Sequence, residues 1–327
     1  MKRSVTVISA LLILVLLITN CRKKEKTEEP APAATTTGSA SVTENGQSLI
    51  DNKKIIFEAD ASASDINTTI TNYSALNGKF NQASSITTVC GMTVDTNGMH
   101  LGTIRLDYNG TVCAGRKRTG SIQLTIQNFS TGIKWKNMGA VVKVDYLNYK
   151  MINTTTSQTV ALNGTAYLTN QSGGTFLDLF LATQTNLAHT YTANSLLVQL
   201  NALNTYTYNV NREVTYTYSS SVFTASVTSN VAFGGYSNLE SWGSTGSDSV
   251  FCSITNPIVW NTTCGAWSPV TGNVTVKVKS KSYNLNGTLG VDAAGTPVVP
   301  TPSTCPYGYK INWTIGSTTS SVVVGYF

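Results

Sequence analysis

The 327-residue chain carries 22 Lys plus Arg against 16 Asp plus Glu. Removing Lys2 and Arg3 with a signal segment takes the formal charge from +6 to +4, too small a surplus for the basic footprint of a nucleic-acid binder. Only 12% of residues are charged, while Thr, Ser, Asn and Tyr abound, a composition that suits exposed β-sheet more than a helical cytosolic enzyme.

Residues 1–20 have the parts of a secretion signal: basic Lys2 and Arg3, then an apolar run from Val5 to Ile18. That run is too short for a membrane span, which takes about 20 apolar residues. It ends in Leu-Ile-Thr-Asn-Cys, which resembles the lipobox of bacterial lipoprotein signals, although Asn20 stands where a small Gly or Ala is usual. The resemblance implies that Cys21 is acylated and becomes the first mature residue, with two or three acyl chains giving a stable anchor. Residues 21–57 then read as a disordered tether, because "PAPAATTTGSASVTENGQ" has few large apolar residues to offset the entropy of ordering. Such a tether reaches roughly 30 Å. Its opening charge cluster, "RKKEKTEE", resembles the surface-export signals of Bacteroidota lipoproteins. This implies an outer-membrane location, at the cell surface or otherwise on the periplasmic face.

Residues 58–84 predict a short helical lead-in. Ile66, Ile70, Tyr73 and Leu76 share a helical face, Asp65 can cap its start, and Asn77-Gly78 can end it. Such a helix would dock on one end or face of a sheet. From residue 85 to 327 the signal is period-two alternation. Ile104, Leu106 and Tyr108 fall on one face of "TIRLDY", Ile122, Leu124 and Ile126 of "SIQLTI", and Val142, Val144 and Tyr146 of "VKVDY". Val214, Tyr216 and Tyr218 in "VTYTY" and Val274, Val276 and Val278 in "VTVKV" repeat the pattern. Asn-Gly pairs at 109–110, 163–164 and 286–287 supply the positive backbone angles of tight hairpin turns. The fold class is therefore all-β and antiparallel, a β-sandwich or an extended meander sheet with one short N-terminal helix, divisible near 210–250. "LDYNGTVCAGRKRTGSIQLTI" and the segment from Tyr283 to Ile315 read as two divergent hairpins of one plan.

"DYNGTVCAGRKRTGSI", "GAVVKVDYLNYK" and "CGAWSPVTGNVTV" resemble segments of a group of Bacteroidota outer-membrane lipoproteins. The resemblance covers about two thirds of the chain, implies location and an all-β body, and brings no activity with it. Beyond Cys21 there are five cysteines, and an exported chain meets an oxidising compartment, so pairs are expected with one thiol left over. Cys90 with Cys113 and Cys264 with Cys305 are preferred and leave Cys252 free; Cys252 with Cys264 competes. The gaps of 23, 139, 12 and 41 residues contain no paired-ligand spacing, and His100 and His189 lie far apart, so no metal or cofactor is expected.

No nucleophile elbow, zinc-protease motif or phosphate loop occurs. Beyond residue 58 the only glutamates are Glu213, beside Arg212 where a surface ion pair would explain it, and Glu240. Glu240, in the turn-rich "SNLESWGSTG", is the most site-like acid, with Asp248 near enough in sequence to form a hydrolase pair. A binding role fits the residues better than catalysis. Trp242, Trp260 and Trp267 fall within 26 residues beside turn-forming side chains, where indoles stack on sugars while Asn and Ser read hydroxyls. As a cluster they suit core packing better than a binding surface; Trp242 suits either. "GRKRTG" reads as a solvated basic turn, and Lys277, Lys279 and Lys281 alternate as on a protected edge strand. The expectation is a lipid-anchored, non-catalytic protein with a binding or structural-display role, its ligand a glycan or a surface protein.

Overall fold

The computed structural model describes residues 41–78, 89–113, 115–201, 204–245, 248–264, 268–301 and 303–326. The signal segment, Cys21, the Pro/Ala-rich stretch and Trp267 lie outside the described residues. Helix α1 (Ser41–Asn72) and the single turn α2 (Ser74–Asn77) precede a fourteen-stranded sheet. Its first half comprises β1 (Met92–Asp95), β2 (Thr103–Cys113), β3 (Arg116–Ile126), β4 (Ala140–Asn153), β5 (Thr159–Asn170), β6 (Asn186–Leu200) and β7 (Asn204–Ser219). The second comprises β8 (Val222–Thr228), β9 (Leu239–Thr245), β10 (Asp248–Asn261), β11 (Thr271–Val278), β12 (Asn284–Val291), β13 (Gly308–Ile315) and β14 (Thr318–Gly325). A short helix, α3 (Phe176–Phe180), lies between β5 and β6 and is opened by a capping box of Thr175 and Asp178.

Of the two arrangements expected, this is the meander: the strands pair antiparallel in sequence order except that β8 pairs β10, with β9 bridging β7 and β10. The alternating strands present the faces their sequences announce, Ile104, Leu106, Ile122, Leu124, Val142, Val144, Val274 and Val276 all being buried. The core has two clusters along one continuous sheet, one ending at Val210 in β7 and the other beginning at Val227 in β8.

The helix departs from expectation in extent and in position. Residues 41–57, read above as tether, are helical, and α1 runs 32 residues. Lys53, Ile55, Glu58, Ala59, Ala61, Ser62, Asp65, Ile66, Asn67, Thr69 and Ile70 are all buried. At 100° per residue these positions cover every side of the helix, so α1 is enclosed by the sheet instead of resting on one face. Asp65 is no cap: it sits mid-helix, accepting hydrogen bonds from Tyr108 Oη on β2 at 2.9 Å and from Arg118 Nη1 on β3 at 2.8 Å. No helix among the described residues is long and apolar enough to cross a membrane.

The three Asn-Gly pairs are not hairpin turns. They lie inside β2, β5 and β12. In the first two the positive φ of Gly110 and Gly164 serves β-bulges, since the register slips at 109–112 and at 163–166. Further slips at 119–121, 146–149 and 193–196 form a line of bulges across β2 to β7, with Gly120, Asn148 and Ser195 also at positive φ. Bulges bend strands and increase their twist, and this line curls the first half of the sheet around α1. Gly120 is required there: a Cβ would lie 2.1 Å from the carbonyl oxygen of Asn148. The two segments read as related hairpins are both hairpins, β2–β3 and β12–β13.

Candidate functional site

The sequence candidates divide between the enclosed interior and the outer face. Glu240 goes inside. It lies on β9 where the pairing with β10 slips between Leu239 and Ser241, and this bulge turns it toward α1. Its Oε1 accepts from Lys53 Nζ at 2.7 Å and from Cys252 Sγ at 3.0 Å, with both charged side chains at 0% exposure. Burial raises the Glu240 carboxyl, but the Lys53 ammonium and Arg212 outweigh it and hold the group below its ordinary range. Burial likewise lowers Lys53, and the Glu240 charge more than restores it. Burial and the Glu240 charge push the Cys252 thiol well up, so this free cysteine is a neutral donor. Arg212, expected in a surface ion pair, is buried beside this group, its guanidinium 5.7 Å from the Tyr191 ring.

Asp248 does not join Glu240. At the start of β10 it accepts from the backbone and hydroxyl of Ser280 and from the backbone of Ser249. Slight burial raises its carboxyl, but these bonds and nearby Lys281 hold it below its ordinary range. The two carboxylates thus face different partners, one sealed and one at the surface.

"GRKRTG" is also not a solvated turn. Arg116 and Arg118 are alternate residues of β3 that point inward, pairing with Glu58 at 3.7 and 3.3 Å, while Tyr149 Oη donates to the same carboxylate at 2.5 Å. Burial raises the Asp65 carboxyl to about 6 despite the opposing pull of Arg118 and Tyr108. Ser62, Tyr146 and Tyr191 continue the chain of hydroxyls, 2.7 and 2.9 Å apart. A cleft bordered by Lys54, Glu58, Arg116 and Gln158 holds about 10 Å³, room for a single water. These groups lock the helix in the sheet. His189, a candidate only by residue type, is boxed by Trp135 at 5.0 Å, Tyr216 at 5.2 Å and Phe176 at 6.0 Å. Burial lowers its pKa to about 3, so it is neutral.

Of the tryptophans, Trp260 is 8% exposed and packs in the second core cluster with Ile258 and Val227. Trp242 is different. Only half-buried on β9, it is covered by Phe233, whose ring stacks at 5.7 Å and 28° while 54% of Phe233 stays exposed. Beside it Tyr236 stacks on Phe251 of β10 at 4.5 Å and 25°. Phe233 and Tyr236 end a two-residue turn, Gly234-Gly235, closed by reciprocal backbone bonds of 2.9 and 3.1 Å. Both glycines have positive φ, as the tight hairpin twist demands. The turn lays two rings over two others, making an aromatic surface on the outer face of the sheet. Trp242 was the one member visible in the sequence; Phe-Gly-Gly-Tyr was a hairpin signal with an aromatic at each end.

Lys277 is not on an edge, because β11 pairs with β10 and β12, and Lys279 and Lys281 follow the strand in the β11–β12 turn. The disulfides Cys90–Cys113 and Cys264–Cys305 are both formed and Cys252 is free and buried. Among the described residues no group of three or more His, Cys, Asp or Glu is placed to hold a metal. No family model, curated protein or solved structure matches the chain.

Proposed function

We propose that this chain is a lipoprotein, acylated at Cys21 and held at the outer membrane, whose β body binds carbohydrate on the Phe233–Tyr236–Trp242–Phe251 surface without transforming it. The observation that carries the binding role is Phe233: a large ring kept half in water while stacked on a tryptophan. Exposed aromatic faces attract the C–H face of a sugar, and the surrounding Ser and Asn side chains suit its hydroxyls. Nearby, Asn256 donates to Asn273 Oδ1 at 2.8 Å, Asn273 to Thr288 Oγ1 at 3.2 Å, and Thr275 to Asn286 Oδ1 at 3.0 Å, a patch of amides and hydroxyls on the outer face. The anchor rests on the signal segment and lipobox-like Leu-Ile-Thr-Asn-Cys. Hydrolysis by Glu240 and Asp248 draws no support from a sealed glutamate bound to Lys53.

Two assays test the reading. Retention of the purified protein by immobilised polysaccharides should be lost in Phe233→Ala/Trp242→Ala while the fold is kept; unchanged retention would reject the surface. Protease treatment of intact cells, with Cys21→Ser as the unanchored control, should remove the body. Protection until the outer membrane is opened would move the search to periplasmic glycans.

A further inference from the structure

The outer face around the aromatic surface has a sign of charge as well as a shape. Strand registers place Asn209 of β7, Trp242 of β9, Phe251 of β10, Lys277 of β11 and Asn284 of β12 side by side in one row crossing the strands. Adjacent strands lie about 4.8 Å apart, so the row runs about 19 Å, long enough for an oligosaccharide and not merely one sugar. From residue 229 to 291 the charged residues are Glu240, Asp248, Lys277, Lys279 and Lys281. Glu240 is sealed inside with Lys53. What remains outside is three lysines and Asp248, whose oxygens are already taken by Ser280 and Ser249.

The lysines are placed by the fold. Lys277 is the cross-strand neighbour of Phe251, and its Nζ donates to the carbonyls of Lys281 at 2.6 Å and Tyr283 at 3.3 Å, fixing the β11–β12 turn. Lys279 and Lys281 follow it in the β11–β12 turn, and both are exposed. For Lys277 an edge-protecting role is unavailable, because β11 has a strand on each side. A row that passes from aromatic rings to Lys277, with two further ammonium groups in the adjoining turn, fits a polymer of apolar sugar faces and regularly spaced anions.

We infer that this face takes an anionic polysaccharide, one carrying carboxylates or sulfates, laid across the strands with its sugars on Phe233, Trp242 and Phe251 and its charges toward Lys277, Lys279 and Lys281. The inference rests on the carbohydrate reading above and adds the ligand's charge and direction.

The test uses the full mature chain with Cys21→Ser and measures its affinity for dextran, dextran sulfate and polygalacturonate. Both anionic polymers should bind about tenfold tighter than dextran and lose most of that advantage between about 0.05 and 0.5 M salt. Lys279→Gln/Lys281→Gln, which touches neither the turn bonds of Lys277 nor the rings, should remove the anionic preference and leave dextran binding in place. Phe233→Ala/Trp242→Ala should remove binding of all three. Equal affinity for dextran and the anionic polymers, or an anionic preference that survives the lysine substitutions, overturns the charge inference while leaving carbohydrate binding intact. No binding of any polymer, or binding untouched by the aromatic substitutions, overturns both. Affinity for dextran sulfate alone would mean ion exchange on sulfates and would likewise reject the inference.

Discussion

Changing Glu240 to Gln should unfold this protein more readily than any surface substitution, and the size of the effect follows from the interior. Lys53 Nζ and Glu240 Oε1 are 2.7 Å apart with neither side chain reaching water. At an effective dielectric of about 20, two unit charges at that distance attract by about 6 kcal/mol. The amide of Gln keeps the shape and can still accept from Lys53, but it removes the charge and leaves a buried ammonium, with Arg212 close by, uncompensated. Removing one partner of a buried pair costs about 3–5 kcal/mol, and the retained hydrogen bond sets the expectation at the lower end. For a body of this size that is a fall of about 10 °C in Tm. The assay is urea and thermal unfolding of the mature Cys21→Ser chain, with Lys53→Met and the double variant completing a cycle. A coupling of about 2 kcal/mol or more is expected. A Glu240→Gln protein within about 0.5 kcal/mol of its parent, or single costs that simply add, would refute the closed ion pair. The variant that remains folded should bind polysaccharide as its parent does, whereas a hydrolase built on Glu240 would lose turnover.

His189, neutral and boxed by rings, binds its proton better when the chain is unfolded, its ordinary pKa of 6.5 falling to about 3 in the fold. Its contribution is therefore complete above pH 6.5 and is lost as pH falls toward 3. Going from pH 7 to 5 should cost about 2 kcal/mol through this group, and His189→Phe should flatten that part of the urea-midpoint profile relative to the parent. Trp260→Ala should cost about 3–5 kcal/mol by unfolding yet leave polysaccharide affinity of the folded fraction unchanged, the opposite of Trp242→Ala. Gly120→Ala should cost at least about 1–3 kcal/mol for the left-handed backbone alone, and more because its Cβ meets the Asn148 carbonyl; a neutral result by thermal unfolding would discard the bulge argument.

The strands were legible because alternation is a local signal that a half-buried sheet must carry: Ile104, Leu106 and Ile122, Leu124 announce their faces without reference to any partner. The disulfides were legible for a related reason, since each pair brackets one short antiparallel unit, β1–β2 between Cys90 and Cys113 and β11–β12 between Cys264 and Cys305. The helix was half legible. Ile66, Ile70 and Leu76 mark a stripe, but toward the N-terminus the buried positions include Lys53, which reads as tether, and Glu58 and Ser62, which read as a solvated side of the helix until their partners are known. Those partners, Glu240, Arg118 and Tyr146, stand 187, 60 and 84 positions away along the chain, and no window of sequence contains both members. Asn-Gly pairs misled because positive φ is what they supply, and a bulge uses it as readily as a turn.

The same reasoning explains why the two site candidates, Glu240 and Trp242, part company. Glu240 and Trp242 are two residues apart, which in a regular strand would put them on one face. The slip between Leu239 and Ser241 breaks that parity, so the acid turns in to Lys53 while the indole stays out under Phe233. One bulge thus decides that the carboxylate serves the interior and the aromatic serves the surface. A sheet wrapped around a charged helix needs an inward anion at this point, and from residue 229 to 291 the outer face is left with rings, lysines and the one acid Asp248. The binding surface and the stability of the body therefore share β9. Substitutions that turn inward from it should read out in unfolding, and substitutions that turn outward should read out in polysaccharide affinity.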